Sequence, residues 1–399
     1  DLNSDGYDDV VVATAFKGWA CVVFGHNHSI PYNTIDLLDI FQGVNSFMGF
    51  KVTGAVISED VLAFSVSPGG DVNADGIDDL IIGTAASHYE GVSSCGVVYI
   101  IYGHSSDYFF DNIELTSWVT GSVGFRIGGA LSGDFLGFSL SGGVDVNGDG
   151  IDDMILGART ATHHGRSKAG TVYVLYGKTG SSQDLHLLNV PPDIGYQIFG
   201  VSDNNFLGHA IAVLEDVNGD AIGDIIVGAV QASANNSFVA TGVVTVLYGQ
   251  SNSPTAMPTV GITTPPTTLP TVSDRYVDMG AWSSSPAIGF QVDGAHVGDQ
   301  LGFSVSSAGD VNKDGYTDIL IGAPFADPLT KGENAGVIYL LFGKDGGKAD
   351  VAAANFGGVD GIQILGSYGE SLGVAVASAG DVNGDEIDDI IIGNQGSRR

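Results

Sequence analysis

Short apolar runs alternate along the chain with clusters of Gly, Asn, Asp and Ser, and the same kinds of segment return in the same order. One set of runs reads VVVATA, LIIGTA, MILGAR, IIVGAV, ILIGAP and IIIGNQ. A second set is bounded by glycine: GWACVVFG, GVVYIIYG, GTVYVLYG, GVVTVLYG and GVIYLLFG. A third reads GFKVTG, GFRIGG, GYQIFG, GFQVDG and GIQILG. The fourth reads VLAFSV, LGFSLS, LGHAIA, LGFSVS and LGVAVA. Short runs rich in Val, Ile, Tyr and Phe, bracketed by turn residues, are strand signals. No long segment combines the helical period with caps at its ends.

An acidic nine-residue loop precedes the first set and fixes the period. It reads DLNSDGYDD at 1–9, DVNADGIDD at 71–79, DVNGDGIDD at 145–153, DVNGDAIGD at 216–224, DVNKDGYTD at 310–318 and DVNGDEIDD at 381–389. Successive starts lie 70, 74, 71, 94 and 71 residues apart. The long interval holds the Pro/Thr-rich stretch 251–274, and removing about two dozen residues there restores a period of ~70. Each period carries four strands, and four-stranded units repeated around an axis are β-propeller blades. Blades pack face to face, which explains strands apolar on both sides. A β-solenoid has a much shorter period and tandem sandwiches a longer one. The expectation is an all-β chain, a single β-propeller over 1–399 of four-stranded blades with an inserted loop at 251–274. Both ends fall inside a repeat, so six blades is the simplest count, and seven requires residues beyond this chain.

Oxygen donors at loop positions 1, 3, 5 and 9, with the carbonyl of position 7, suit Ca²⁺, which takes six to eight oxygens. The predicted ligands are Asp1, Asn3, Asp5, Tyr7 and Asp9 in the first loop, and Asp71, Asn73, Asp75, Ile77 and Asp79 in the second. In the third they are Asp145, Asn147, Asp149, Ile151 and Asp153, and in the fourth Asp216, Asn218, Asp220, Ile222 and Asp224. The fifth offers Asp310, Asn312, Asp314, Tyr316 and Asp318, and the sixth Asp381, Asn383, Asp385, Ile387 and Asp389. Tyr and Ile at position 7 serve by carbonyl only; their side chains, and Leu or Val at position 2, anchor the loop. An EF-hand would need Glu at position 12 and flanking helices. Position 12 is Val12, Ile82, Leu156, Val227, Ile321 and Ile392, which excludes it. Asp-Gly and Asn-Gly also make plain turns, but a turn needs one or two such residues rather than a fixed set of four. Three neighbouring carboxylates repel, and a divalent cation neutralises them.

Position 6 is glycine except at Ala221 and Glu386. A non-glycine residue there costs about 1–2 kcal/mol if φ is positive, so those two loops are expected to be weaker or distorted. Asp1 opens the chain, and its site is expected to be incomplete. Asp78, at position 8 where other loops carry Gly223 or Thr317, is not expected to ligate.

Charge narrows the partners. There are 14 Lys and Arg against 46 Asp and Glu, a formal net charge of −32. Nucleic acid, whose phosphates need basic contacts, is excluded, and so is an anionic membrane surface. With 44% hydrophobic residues the chain can bury a core, so acidity does not mean disorder here. No apolar run is long enough for a membrane span. The chain does not begin with Met and is expected to be a processed or truncated piece of a longer protein. Cys21 and Cys95 fit one disulfide or two free thiols.

LGFSVSSAGDVNKDGYTDILIGAP at 301–324 followed by GVIYLLFG at 336–343 resembles the FG-GAP repeat of integrin α propellers, a likeness that runs through nearly the whole chain outside 251–274. The resemblance implies calcium ligands at positions 1, 3, 5, 7 and 9, in loops that join the first and second strands and are structural. Integrin propellers carry such loops in only some blades, whereas all six repeats here have one. Similar propellers occur in phospholipases and microbial surface proteins, so the fold does not settle function.

Alternating strand direction places the 1–2 loops and the 3–4 insertion on one face. The 2–3 loops, 87–94, 160–168, 231–238 and 325–334, fall on the other, which is the expected partner face for a protein or glycan; self-association is open. Asn27-His28-Ser29 and Asn235-Asn236-Ser237 match the N-glycosylation sequon, and 251–274 resembles an O-glycosylated stretch. Extracellular calcium modules bind with Kd on the order of 10⁻⁴–10⁻³ M, so the expected location is secreted or cell-surface.

Catalytic signals are weak. Gly369–Gly373 matches G-x-S-x-G but sits on a turn between strands, not on a strand-to-helix elbow. His163 and His164 with Arg159, Arg166 and Lys168 form the one basic cluster, read as a solvated loop ahead of an anion-binding one. There is no H-E-x-x-H spacing, zinc pattern or P-loop. The expected function is a non-catalytic extracellular module for adhesion, ligand binding or fibre assembly. The alternative is the propeller portion of a secreted, phospholipase-like hydrolase whose catalytic domain lies outside this chain.

Overall fold

In a computed structural model of the chain, the residues described are 1–14, 18–26, 36–37, 40, 48–54, 64–105, 112–118, 120–121, 123–188, 190–191, 193–232, 240–251, 276–279 and 288–396. The sequon asparagines Asn27 and Asn235 and nearly all of 251–274 lie outside them. The chain divides into two compact units. One comprises 1–143, 151–154 and 176–190; the other comprises 144–150, 155–175 and 191–399.

In the first unit, Phe64–Gly70, Asp79–Thr84, Val97–Ile101 and Gly124–Gly128 pair antiparallel in chain order. In the second unit, Leu207–Leu214, Asp224–Ala229, Val243–Leu247 and Gly289–Asp293 do the same. So do Ser304–Gly309, Asp318–Ala323, Val337–Leu341 and Gly361–Leu365. These are the expected four-stranded blades. The first sheet holds the second, third and fourth strands of a repeat, Val10–Thr14, Trp19–Val23 and Gly49–Thr53. The last holds a first and a second strand, Ala375–Gly380 and Asp389–Gly393.

The second and third strands explain the patterning. Asp79–Thr84, Val97–Ile101, Asp224–Ala229, Val243–Leu247, Asp318–Ala323 and Val337–Leu341 are buried at every residue. Both faces of each blade meet apolar neighbours, so period-2 alternation is lost. One cluster in the second unit runs from Ile226 and Val244 to Ile319, Ile321 and Tyr339, and so joins two successive blades. Blades also approach through backbone. A Cβ on Gly83 or Gly322 would collide with the carbonyl of Gly137 or Gly373 in the following repeat. Ser65 and Ser304 donate to those same carbonyls at 2.5 and 2.8 Å.

A fifth, very short strand is added to the outer edge of four sheets and was not legible in the repeat. Ile113–Glu114, Leu185–His186, Tyr276–Asp278 and Val351–Ala352 run parallel to the fourth strand of the preceding repeat. An Asx side chain starts three of them. Asn112, Asp184 and Asp350 accept the N–H groups of Lys51, Arg126 and Gln291 at 2.8–2.9 Å. Where Tyr276 takes that position, a third residue pair, Gln197 with Tyr276, stands in its place. The addition covers edge groups that would otherwise be unpaired.

Candidate metal loops and the clasps around them

Five of the six acidic loops join the first and second strands of a repeat, as expected, while the loop at 1–9 leads into a second strand; position 12 lies in a strand in every copy. The local wiring repeats from loop to loop. The position-1 carboxylate folds back over the turn: Asp71 accepts the N–H of Asp75 through Oδ1 at 2.9 Å and of Gly76 through Oδ2 at 2.8 Å. Asp1, Asp216, Asp310 and Asp381 do the same for positions 5 and 6 of their loops. The position-5 carboxylate accepts from position 7, as Asp75 does from Ile77 at 3.0 Å. The unit boundary passes through the loop at 145–153. In its first half Asp145 accepts from Asn147, Gly148, Asp149 and Gly150.

Two left-handed residues make the turn possible. Position 6 has φ of 85–90° at Gly6, Gly76, Gly150 and Gly315, and 65° at Ala221 and Glu386. The positive φ expected at those two departures is therefore present. Position 4 is left-handed as well, at Ser4, Ala74, Gly148, Gly219, Lys313 and Gly384, with φ between 56° and 84°. Glycine in three of six copies was the available signal for that requirement. Only 145–153 has glycine at both positions.

The ninth-position aspartates are the most buried acids of the loops. Asp79 is 1% exposed, and Asp153, Asp224 and Asp318 are fully buried. Four of the six, Asp9, Asp79, Asp224 and Asp318, clasp two parts of their repeats. Asp79 accepts the N–H of Val72 through Oδ2 at 3.2 Å and of Gly103, at the end of the third strand, through Oδ1 at 3.0 Å. Asp9 binds Leu2 and Gly25, Asp224 binds Val217 and Gly249, and Asp318 binds Val311 and Gly343. Asp153 binds Gly177 at 2.9 Å. The aromatic-Gly pair closing each third-strand run follows from this contact: a Cβ on Gly25, Gly103, Gly177 or Gly249 would strike the position-8 carbonyl. Ile77, Ile151 and Ile222 lie against those same glycines, so position 7 anchors the loop as expected.

Burial pushes the ninth carboxylate upward, and the loop's other carboxylates add to it. Asp79 and Asp224 are raised to about 8 and Asp318 to about 6, burial being the largest cause, against backbone hydrogen bonds that lower them. The charges of Asp71 and Asp75, of Asp216 and Asp220, and of Asp310 and Asp314 contribute to the rise. Asn73 Oδ1 is buried and has no hydrogen-bond partner. In two loops the amide nitrogen turns inward instead: Asn3 and Asn218 donate to Asp5 and Asp220 at 3.1 and 3.2 Å. Among the described residues no group of three or more His, Cys, Asp or Glu side chains is arranged to hold a metal ion. The carboxylates spend their oxygens on backbone N–H groups. The donor set of each loop also mixes three carboxylates with an amide and a carbonyl.

Position 8 has a role that sequence reasoning missed. Asp152 Oδ2 accepts the N–H of Asp71 at 2.9 Å, and Asp388 Oδ2 that of Asp310 at 2.8 Å. Asp78 Oδ2 meets the amino terminus of Asp1 at 3.0 Å. Each is thus a latch from one loop to the preceding one. Where position 8 is Gly223 or Thr317, its N–H donates to the carbonyl of Asp145 or Asp216 at 3.0 Å. The residue before the latched loop answers the choice. Gly70 and Gly309 leave room for the aspartate, whereas beside Val144 a Cβ on Gly223 would not fit.

The other candidates fall as follows. Gly369–Gly373 is a turn between Gly361–Leu365 and Ala375–Gly380, with Ser371 donating its N–H to the Asn334 carbonyl at 2.9 Å. Cys21 and Cys95 are both free and buried. The 2–3 and 4–1 loops share an end of each blade, as Gly133 with Ser94 and Ser371 with Asn334 show. Among the described residues no helix is long and apolar enough to cross a membrane.

Four-stranded blades with an acidic clasp between their first two strands define the class: the chain carries FG-GAP repeats, matched at 136–175 and 301–341, and is consistent with an integrin α-type FG-GAP propeller. It is 28% identical over 229 residues to phosphatidylinositol-glycan-specific phospholipase D of Bos taurus, covering 55% of this chain and 22% of that protein. It is 27% identical over 271 residues to integrin alpha pat-2 of Caenorhabditis elegans, covering 66% of this chain and 18% of the integrin. To integrin alpha-PS2 of Drosophila melanogaster it is 26% identical over 295 residues, or 73% and 17%. The chain thus spans about a fifth of the length of the relatives it matches.

Proposed function

We propose that this chain is an extracellular, calcium-stabilised propeller that works as a non-catalytic adhesion or ligand-binding module. The observation that carries the calcium part is the loop at 71–79. There a buried acceptor, Asn73 Oδ1, has no donor, and beside it Asp79 is pushed up to about 8 by burial and by its neighbours Asp71 and Asp75. A divalent cation answers both: it gives the oxygen a partner and removes the carboxylate repulsion. The predicted ligands of the six loops fit a hard cation in donor type. In this role the ion ties the first strand to the second, while the ninth aspartate ties the second to the third. The function is mechanical, and the partner binds elsewhere, at loops on the end of the blades away from the clasps.

Likeness to integrin α chains supports the non-catalytic module. Likeness to a phospholipase D supports a second reading, a propeller attached to a hydrolase. The native protein separates the two. A mass near that of this chain plus further repeats, with no phosphodiesterase activity, supports the module; a hydrolase domain on the same polypeptide supports the second. The shared calcium claim is tested by chelation: melting temperature should fall in EDTA and recover with CaCl₂ but not with MgCl₂ at the same concentration.

A further inference from the structure

The hairpin at 159–168 stands apart from the rest of this acidic chain. It carries Arg159, Arg166, Lys168, His163 and His164, and no Asp or Glu lies between Asp153 and Asp184. Three of the chain's 14 basic residues fall within these ten positions.

A second copy of the same hairpin shows that the fold does not ask for these charges. Tyr89 and Val92 form a two-bond bridge around Glu90 and Gly91, whose φ values are 48° and 86°. His163 and Arg166 form the same bridge around His164 and Gly165, at 47° and 77°. Ser94 and Lys168 are then both left-handed, at 48° and 51°, and both accept at their carbonyls from the following 4–1 loop, from Gly133 and from Phe206 at 3.2 Å. One backbone is therefore built with Tyr, Glu, Val and Ser at 89, 90, 92 and 94, and again with His, His, Arg and Lys. Lysine gains nothing from a left-handed φ, which favours Asn or Gly. The charges are thus an addition to the scaffold.

Their placement holds them at the surface. Lys168 and His164 are exposed, and Arg159 and Arg166 are half-buried. Arg166 Nη1 donates to the Gly200 carbonyl at 2.9 Å, and His163 stacks on Phe199 at 4.3 Å between centroids. Arg159 Nη1 lies 3.3 Å from His209 Nδ1. Asp203 lies against the hairpin, its Oδ1 taking the Ser167 N–H at 2.8 Å.

We infer that the hairpin 159–168 is a docking surface for a sulfated polysaccharide, with Arg166 and Lys168 as its principal contacts. Charge complementarity selects a polyanion. Sulfate esters stay ionised and offer guanidinium and ammonium groups several oxygens each. Millimolar calcium engages a polycarboxylate far more than it does sulfate esters. The inference goes beyond the calcium reading and does not depend on it.

The test is titration of fluorescent dextran sulfate into the calcium-loaded chain at about 0.15 M salt, where long-range attraction is screened. Arg166→Val with Lys168→Ser installs the residues of the sister hairpin, so the fold is kept. The wild type should bind and the double variant at least tenfold more weakly. The slope of log affinity against log salt should also fall by about one to two. Lys331→Gln, on the loop at 325–334, should change neither. Absence of wild-type binding, or equal binding by the double variant, would overturn the inference. Tighter binding to polyglutamate than to dextran sulfate would overturn it in favour of an acidic peptide.

Discussion

Ala221 and Glu386 occupy a backbone conformation, φ of 65°, that the other loops give to glycine. Each L-residue there costs about 1–2 kcal/mol, and glycine returns part of that as chain entropy in the unfolded state. Ala221→Gly should therefore stabilise the chain by up to about 1 kcal/mol, read by urea denaturation with calcium held constant. Gly150→Ala should destabilise by a similar amount, and Gly76→Ala likewise. The position-6 requirement was legible because four of six copies keep glycine; at position 4 Ser4, Ala74 and Lys313 masked it. The double hydrogen bond of Asp79 could not be read, because one of its two donors, Gly103, lies 24 positions along the chain.

The raised ninth-position acids predict a pH dependence at the same scale. With chelator present, folded Asp79 and Asp224 keep a proton up to about 8, whereas the ordinary value is 3.8. Unfolding then releases protons between those limits, so the contribution of these two groups to stability is greatest below 3.8 and declines as pH rises toward 8. Calcium displaces those protons, so its affinity should rise over the same window and the decline should vanish. Thermal unfolding at a series of pH values, with chelator and with CaCl₂, checks the sign.

The latches at position 8 are properties of elements rather than residues, because each joins a loop to the next repeat. Asp152 is the acceptor for the N–H of Asp71. Asp152→Ala should leave that part-buried donor unsatisfied, at about 1–2 kcal/mol. Hydrogen exchange should quicken first at 71–79 and only weakly in the strands of the same blade. Gly309→Ala should be worse, since its Cβ meets the Asp388 carboxylate and its φ is 69°. The strands themselves were plain in the sequence, since two-sided burial turns them into continuous apolar runs. The parallel fifth strands were not. Ile113–Glu114, Leu185–His186 and Val351–Ala352 have two residues each, with partners 58–61 residues earlier in the chain, and Tyr276–Asp278 has three, with partners 79 residues earlier.

At the scale of the molecule, repetition gave the architecture and charge gave the exclusions. A period near 70 with four strands in each repeat led to the blade, and complete four-stranded sheets are present in both units. The number of blades does not follow from the period, because the first sheet lacks a first strand and the last holds only two. The excess of acid also makes sense at this scale. Six calcium ions would offset twelve of the 32 excess negative charges, concentrated where three carboxylates share one loop. Self-repulsion of that size destabilises a compact state, so removing calcium should loosen many repeats together, not one site.

The measurement closest to that claim is calorimetric titration of the chelated protein with CaCl₂ near pH 7, in two buffers of different ionisation enthalpy, with the melting temperature followed in parallel. Several ions should bind in the micromolar to millimolar range. Protons should be released in the process, about one from each of the loops at 71–79 and 216–224. The melting temperature should rise by several degrees as the sites fill. No heat of binding up to millimolar calcium, with a melting temperature indifferent to EDTA, would show that the acidic loops are hydrogen-bonded turns and nothing more.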